Sequence, residues 1–217
     1  MKRGREDAVS ERARLQEFLS DGLVAHVGVV ANASPVVIPC AYAFDHKGPD
    51  KGGTLYVHGS VAAVWLTSAI QAPVCVTVTE LDGLVAARSA FNHSMNYRSA
   101  VVIGVARLVS DPTEIHHALD LLADHMIAGR SQTLRPSTRK ELAATAVLAV
   151  PMFEASMKAR AGGPVDETVD VELGTWGGHI PLTRIALPIV EAPDARRPVP
   201  VEVVRRADAL TLKPSDD

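Results

Sequence analysis

The stretch TLYVHGSVAAVWLTSA contains three adjacent residues suited to chemistry, His58, Gly59 and Ser60. TLYVH predicts a short strand, and a helix is predicted over 59–70. A helix start presents unpaired backbone N–H groups that can bind an anion, and a glycine lets a ligand approach closely. His58 adds a side chain whose charge changes near neutral pH. In the alternative, Ser60 caps the helix and His58 packs at the rim of a barrel, and residue types alone leave both open.

A second group of polar residues lies around the start of a long predicted strand, in RSAFNHSMNYRSAVV. Arg98 and Ser99 offer a forked cation and a hydroxyl to a phosphate, and Tyr97 offers an aromatic face. Strand alternation sends Arg98 and Ser99 to opposite faces unless the strand starts irregularly. An edge arginine in a surface ion pair is equally compatible with the pattern. The polar members of this group are Arg88, His93, Asn96, Tyr97, Arg98 and Ser99.

Lys158, Arg160 and Trp176 are weaker candidates. The two cations close the strand predicted over FEASMKAR, where an ordinary surface position explains them as well. Trp176 lies in GTWGGHIPL, whose glycines leave space beside the indole, and a tryptophan in such a loop often marks a stacking or interface surface. A core position for Trp176 stays open.

Other reactive side chains predict no site. His116, His117 and His125 lack the i, i+4 spacing of helical zinc ligands, so we expect a solvated helix face and no metal. Cys40 and Cys75 have no CxxC partner and are expected to be reduced thiols in apolar strands. The sequence shows no nucleophile elbow, Walker motif or GxGxxG pattern.

Composition limits the classes of protein to which this chain can belong. A chain of 217 residues with 47% hydrophobic and 22% charged residues is typical of one soluble globular domain. The net charge of −3 does not indicate nucleic-acid binding. No apolar run approaches the roughly 20 residues of a membrane span. The first residues are charged and lack the apolar core of a secretory signal, so we expect a cytoplasmic protein.

The elements predict a mainly β protein. An amphipathic helix over 9–20 buries Leu15, Phe18 and Leu19, and a hairpin turns at NAS. A second hairpin is predicted at Asp82-Gly83, and a long helix begins with Asp111 as its N-cap. Further elements are a short helix in STRKELAATA, one strand in VLAVPMFEASMKAR, a polar loop in AGGPVDETVDVELGTWGG and a strand in HIPLTRIALP. Antiparallel strands with few helices favour a small barrel with flanking helices over 1–190, followed by a loose Pro- and charge-rich tail over 191–217.

With these residues in place, the chain resembles the FMN-binding split-barrel superfamily. The resemblance is to the pyridoxamine 5'-phosphate oxidase-like flavoproteins, a branch that includes nitroimidazole-resistance reductases. It runs from about Arg12 to about Leu187. The matching segments are GLVAHVGVV, PVVIPCAYAFD, TLYVHGS, VCVTVTELDGLVAARSAFNHSMNYRSAVVIGVARLVSD, ELAATAVLAVPMFEASMKAR and TWGGHIPL.

The resemblance implies a six-stranded antiparallel Greek-key split barrel that forms a homodimer with two FMN sites at the subunit interface. It implies an oxidoreductase in which the flavin exchanges two electrons with an unidentified small molecule. His58 is the implied catalytic residue, beside the isoalloxazine, and Trp176 is implied to come from the partner subunit. The implied cofactor-binding residues are Pro39, Tyr42, His58, Gly59, Ser60, Asn96, Tyr97, Arg98, Ser99, Lys158, Arg160 and Trp176.

The helix after HGS departs from the family pattern. Relatives carry a serine and a cation there that hold the flavin phosphate, whereas residues 61–65 read VAAVW. Losing one charge-assisted partner of a phosphate weakens binding about ten- to a hundredfold. The alternatives are therefore a non-enzymatic dimer that binds a flavin or haem, and a barrel that has lost its ligand. Arg88, Arg98, Lys158 and Arg160 are the cations that could compensate.

Overall fold

The computed structural model describes residues 8–9 and 12–211. The strands are β1 (Ala8–Val9), β2 (Ala25–Ala31), β3 (Ser34–Cys40), β4 (Tyr42–Asp45), β5 (Thr54–Ser60), β6 (Pro73–Ala86), β7 (Ser94–Val105), β8 (Arg107–Leu108), β9 (Thr145–Pro151), β10 (Glu154–Arg160) and β11 (Gly178–Pro181). The α-helices are α1 (Arg12–Asp21), α2 (Val64–Ala69), α3 (Pro112–Met126), α4 (Arg139–Ala144), α5 (Thr168–Glu172) and α6 (Val201–Thr211).

The strands form two antiparallel sheets. The larger has the order β1-β10-β7-β6-β2-β3, with β11 also paired to β6, and the smaller has the order β4-β5-β9-β8. The predicted mainly β class, with antiparallel strands and flanking helices, is confirmed. Within the described residues, none of the helices is long and apolar enough to cross a membrane.

The described residues divide into two compact units. Unit 1 contains residues 8–9, 79–99 and 157–211, and unit 2 contains residues 12–78 and 100–156. The division of the sequence into a domain over 1–190 and a tail over 191–217 stays a prediction. His58 therefore belongs to unit 2, and the segment NYRS belongs to unit 1.

The core of unit 2 lies around β5 and β9, which pair over their whole length from Thr54↔Pro151 to Ser60↔Thr145. Four successive β5 residues, 54–57, are completely buried because both faces of this strand are covered. Ala118 of helix α3 packs against Tyr56 of β5 and Val147 of β9 in this core. Helix α1 buries Leu15, Phe18 and Leu19, as its apolar spacing predicts.

Two predicted local structures are confirmed. The hairpin β2–β3 turns through Asn32 and Ala33, whose φ angles of 50° and 60° are those of a type I′ turn. Helix α3 begins with Pro112 after Asp111, whose carboxylate accepts the backbone N–H groups of Thr113 and Glu114.

The predicted hairpin at Asp82-Gly83 is wrong, because β6 is one continuous strand of 14 residues. A two-residue hairpin turn needs positive φ, and neither Asp82 nor Gly83 has it. The second half of the strand finds a partner elsewhere in the chain, since β11 pairs Ile180 with Leu84 and Pro181 with Gly83. The backbone groups of this segment are thus satisfied without a turn.

The helix predicted over 59–70 is much shorter. Strand β5 continues to Ser60, and α2 spans only Val64–Ala69, with Ala63 as an N-cap that offers no side-chain hydrogen bond. The unpaired N–H groups of the helix start therefore lie after Ala63 and not at Gly59. The Ser60 hydroxyl does not cap the helix either, since it accepts the N–H of Ala62 at 3.2 Å within the preceding turn.

Three other predictions near the C-terminus need correction. The single strand predicted over 147–160 is two strands, β9 and β10, which are separated at Met152 and Phe153. Met152 turns away from the ladder because its N–H donates to the carbonyl of Gly53 and its carbonyl accepts Arg12. The polar loop contains α5, and the tail contains α6.

A network of charged and polar groups ties four segments of unit 2 together: β5, β8, α3 and the loop before β5. The Arg107 guanidinium donates to both carboxylate oxygens of Asp50, at 2.9 and 2.8 Å, and to Glu114 at 3.0 and 2.5 Å. Glu114 also accepts the hydroxyl of Tyr56 at 2.9 Å. Burial alone would raise the pKa of Asp50, but hydrogen bonds from Arg107 and Thr54 lower it. Burial and the Glu114 carboxylate raise the pKa of Tyr56.

We expect Arg107→Ala to lower the free energy of unfolding of the protein by about 2–3 kcal/mol, because it leaves two mostly buried carboxylates without their cation. Urea unfolding at pH 7 measures the change. Arg135→Ala is the matched control, since the Arg135–Glu141 pair is exposed and its loss should leave the midpoint unchanged. An equal effect of both substitutions would contradict the structural role of the network.

The same network predicts an acid dependence. The folded-state pKa of Asp50 lies below its ordinary value of 3.8, so its contribution is complete above that pH and is lost as the pH falls through the lowered value. The stability difference between the wild type and Arg107→Ala should therefore shrink below about pH 4. A difference that stays constant down to pH 2 would show that Asp50 is not coupled to Arg107.

Candidate functional site

His58 lies where β5 extends beyond its neighbour β4. The β4–β5 ladder ends at the pair Tyr42↔Val57, whereas the β5–β9 ladder continues through His58↔Val147. The segment His58–Ser60 is therefore paired on one side only within the described β ladders. That this segment belongs to a binding site stays a prediction.

The two nitrogens of the His58 ring have different surroundings. Nδ1 is buried and has no hydrogen-bond partner in the part of the chain that the structure describes. The side chain as a whole is only half-buried, so Nε2 is the nitrogen that a ligand can reach. Burial lowers the pKa of His58 below its ordinary value of 6.5, which keeps the ring neutral at neutral pH. A neutral ring places its proton where it can be solvated, and we therefore assign it to Nε2.

Gly59 and Ser60 form the end of strand β5. A Cβ at Gly59 would lie 3.1 Å from Leu66 Cδ1 and 3.2 Å from Trp65 Cζ2, so the glycine makes room for the close packing of α2. Ser60 is exposed at the end of β5, and its hydroxyl proton is available to a ligand.

Pro39 and Tyr42 differ strongly in exposure. Pro39 is exposed on the edge strand β3, opposite His26. Tyr42 is completely buried, and its hydroxyl donates to the carbonyls of Leu19 at 2.6 Å and Gly22 at 3.2 Å. Tyr42 is thus a core residue in this structure, as is its neighbour Ala43 on β4.

Asn96 and Arg160 lie together in unit 1. Arg160 donates to the Asn96 side-chain oxygen at 2.6 Å and to the carbonyl of Gly163 at 3.0 Å. The Asn96 amide nitrogen donates to the carbonyl of Gly162 at 3.0 Å. These bonds hold the loop after β10, so both predicted cofactor residues already have structural partners.

Arg98 forms an ion pair, as in the alternative in which it is an edge arginine and does not bind a phosphate. Its Nε and Nη2 donate to the two carboxylate oxygens of Asp82 at 3.0 and 2.9 Å. A phosphate would have to compete with Asp82 for this guanidinium. In contrast, the side chains of Lys158, Tyr97 and Ser99 make no hydrogen bond or ion pair with any residue that the structure describes.

Trp176 is 70% exposed, and the neighbouring glycines shape its surroundings. A Cβ at Gly178 would lie 2.8 Å from Trp176 Cζ2, so the indole ring lies against the bare backbone of Gly178. Arg88 similarly fills the space beside Gly177 and is fixed by Asp166 and the carbonyl of Thr175. The indole itself thus occupies the space that Gly178 leaves, while most of its surface stays exposed in unit 1.

The histidines of α3 are not simply a solvated face. His117 Nε2 lies 2.9 Å from Asp45 Oδ2, and the half-buried His125 contacts the Gly22 carbonyl at 2.7 Å and the Tyr42 ring. Among the described residues, no group of three or more His, Cys, Asp or Glu side chains could hold a metal ion. Sequence spacing could not reveal these contacts, because their partners lie 72 and 103 residues away.

Two solved structures are similar to almost the whole chain. The flavocytochrome Anf3 from Azotobacter vinelandii is 34% identical over 94% of this chain and 94% of its own, with a TM-score of 0.85. The FAD and heme binding protein from Mycobacterium smegmatis is 37% identical over 94% of this chain and 97% of its own, with a TM-score of 0.82. A putative 5-nitroimidazole antibiotic resistance protein from Bacteroides thetaiotaomicron is 20% identical over 70% of this chain and 85% of its own, with a TM-score of 0.56. This last similarity shows a shared fold.

The model of the pyridoxamine 5'-phosphate oxidase family matches residues 11–159, more than half of the chain. This protein therefore belongs to the pyridoxamine 5'-phosphate oxidase family, and the predicted split-barrel fold is confirmed. The comparison with curated proteins found no match.

We expect His58 to be neutral at pH 7, with its proton on Nε2. In ¹H–¹⁵N spectra of labelled protein without added ligand, its titration midpoint should lie below 6.5, and the His58→Gln variant assigns the signal. Because the folded-state pKa is lowered, the contribution of His58 to stability is complete above 6.5 and is lost as the pH falls through the lowered value. A midpoint above 6.5, or an Nδ1–H tautomer at pH 8, would contradict the assignment.

Proposed function

We propose that this protein binds a flavin and a haem and acts as a flavin-dependent oxidoreductase. The observation that carries this proposal is the sequence identity to two proteins whose names refer to a flavin and a haem. The identities are 34% and 37%, in both cases over 94% of this chain. Similarity at this level and coverage supports a shared ligand class as well as a shared fold.

The flavin that best suits these residues is FAD. FMN, which the family resemblance implies, carries a terminal phosphate dianion, and two of the cations considered for that phosphate, Arg98 and Arg160, bind Asp82 and Asn96. The short helix α2 adds no side-chain cap. FAD has a pyrophosphate diester whose charges are spread over two groups and an adenosine that provides further contacts, so it depends less on one phosphate site.

Several side chains remain available for such a ligand. Trp176 offers a flat aromatic face, Tyr97 and Ser99 offer hydroxyl groups, and Lys158 offers a positive charge. In unit 2, His58 presents Nε2–H as a hydrogen-bond donor at the open edge of β5. A bound flavin supplies two-electron redox chemistry, which the protein orients and tunes electrostatically. The role of His58 in the proposal is to hold a proton at Nε2 for an acceptor on the flavin or substrate.

We propose that the protein is a homodimer with the cofactor sites at the subunit interface. Unit 1 exposes large apolar side chains that a monomer would leave in water: Phe91 77%, Val165 80%, Leu173 74%, Trp176 70%, Leu187 77% and Val190 92%. Such exposure is typical of interaction or ligand surfaces. A second subunit and the cofactors would cover them.

The absorbance spectrum of the purified protein, with chromatography of the released cofactors, tests the proposal first. We expect flavin bands and a Soret band, FAD in the extract, and a dimer by light scattering at micromolar concentration. FMN in the extract would favour the flavin of the family resemblance over FAD. Failure to bind FAD, FMN and hemin would overturn the proposal. A bound flavin that NAD(P)H does not reduce and air does not reoxidise would favour a non-enzymatic binding protein.

Lys158→Gln should weaken flavin binding about tenfold or more, because it removes a charge-assisted contact to phosphate. The measurement is quenching of flavin fluorescence in a titration with FAD. Lys140→Gln on the exposed surface of α4 removes the same charge and should leave the affinity unchanged. Equal affinities of the wild type and Lys158→Gln would exclude Lys158 from the site.

A further inference from the structure

One ring nitrogen of His93 is held by a backbone carbonyl. His93 directly precedes β7, and its Nδ1 lies 2.8 Å from the carbonyl oxygen of Ser89. The same carbonyl accepts the backbone N–H of Asn92 at 3.2 Å, and the Ser89 hydroxyl accepts that N–H at 3.3 Å. The turn that holds the acceptor is thus itself hydrogen-bonded, which fixes the orientation of the imidazole ring.

This contact determines which nitrogen of His93 is available. A carbonyl oxygen only accepts, so Nδ1 carries the proton of the neutral ring and Nε2 keeps its lone pair. The His93 side chain is exposed, and it makes no other hydrogen bond or ion pair within the described residues. Histidines that bind metals almost always donate their second ring N–H to a carbonyl, carboxylate or water, which orients the ring and raises the basicity of the ligating nitrogen.

We propose that His93 is the axial ligand of the haem iron, an inference that rests on the haem-binding part of the proposed function. The Nε2 lone pair forms the coordinate bond, and no proton is released because Nδ1 keeps its own. Phe91 and Met95, two residues to either side, are 77% and 45% exposed and supply apolar surface for a porphyrin. Both lie in unit 1 with His93 and with most of the predicted cofactor residues.

His58 does not meet the same requirement. Binding iron through its accessible Nε2 would place the proton on Nδ1, which is buried without an acceptor. His117 and His125 already use Nε2, for Asp45 and Gly22, and ligation through Nδ1 would bring a porphyrin against their own helix α3. No hydrogen bond within the described residues orients the rings of the other histidines, which are His26, His46, His116 and His179.

The test is hemin binding by full-length variants, followed by absorbance and electron paramagnetic resonance of the ferric protein. His93→Gly should lose the histidine-ligated spectrum and at least tenfold in hemin affinity. Added imidazole should restore the spectrum, which a merely structural role of His93 would not allow. His116→Ala is the matched control for removal of an exposed histidine and should keep the wild-type spectrum. FAD content, measured on each variant, reports whether the fold is intact.

The outcomes separate this inference from the proposed function. A wild-type spectrum in His93→Gly, or its loss in His58→Ala alone, would overturn the assignment of His93 while haem binding stands. Loss in His93→Gly without rescue by imidazole would also count against direct ligation. A wild-type protein that binds FAD but no hemin would overturn the haem part of the proposed function and this inference with it.

Discussion

The ion pairs of Arg107 are the interaction on which the arrangement of unit 2 depends. One guanidinium joins Asp50, before β5, to Glu114 on α3, and Glu114 in turn holds the hydroxyl of Tyr56 on β5. Removing one partner of a buried ion pair leaves an uncompensated charge, so the helix, the loop and the strand stabilise one another in the folded state. The position of His58 at the end of β5 follows from this constraint, because the strand cannot shift along β9 without separating Tyr56 from Glu114.

Two of the candidate cations of unit 1 already have partners within the protein. Arg98 and Asp82 form a two-bond ion pair, and Arg160 binds the buried Asn96. An anion would have to replace these partners, whereas a flat aromatic group finds the exposed indole of Trp176 without such competition. This balance supports a ligand recognised mainly through its rings. Of the four candidate cations, Lys158 is the one without a partner among the described residues.

Local signals in the sequence were reliable where short-range physics decides the structure. Asn32 adopts the positive φ that a two-residue turn requires, and Asp111 caps α3 through its own carboxylate. The same kind of signal failed at Asp82-Gly83, because strand β11, about 100 residues later, supplies the pairing that a turn would have supplied. Helix α6 carries a periodic signal in Val203, Ala207 and Leu210 that the nearby prolines and charges concealed.

The sequence by itself determined the mainly β class, the family and the identity of most candidate side chains, since these depend on residue types and short spacings. Only the tertiary structure decided which of those side chains are available. It buried Tyr42, paired Arg98 with Asp82 and left Nδ1 of His58 without a partner, whereas it gave Nδ1 of His93 a carbonyl four residues away. Hydrogen-bond partners of this kind depend on where the backbone places each acceptor, and residue types and spacings do not specify that position.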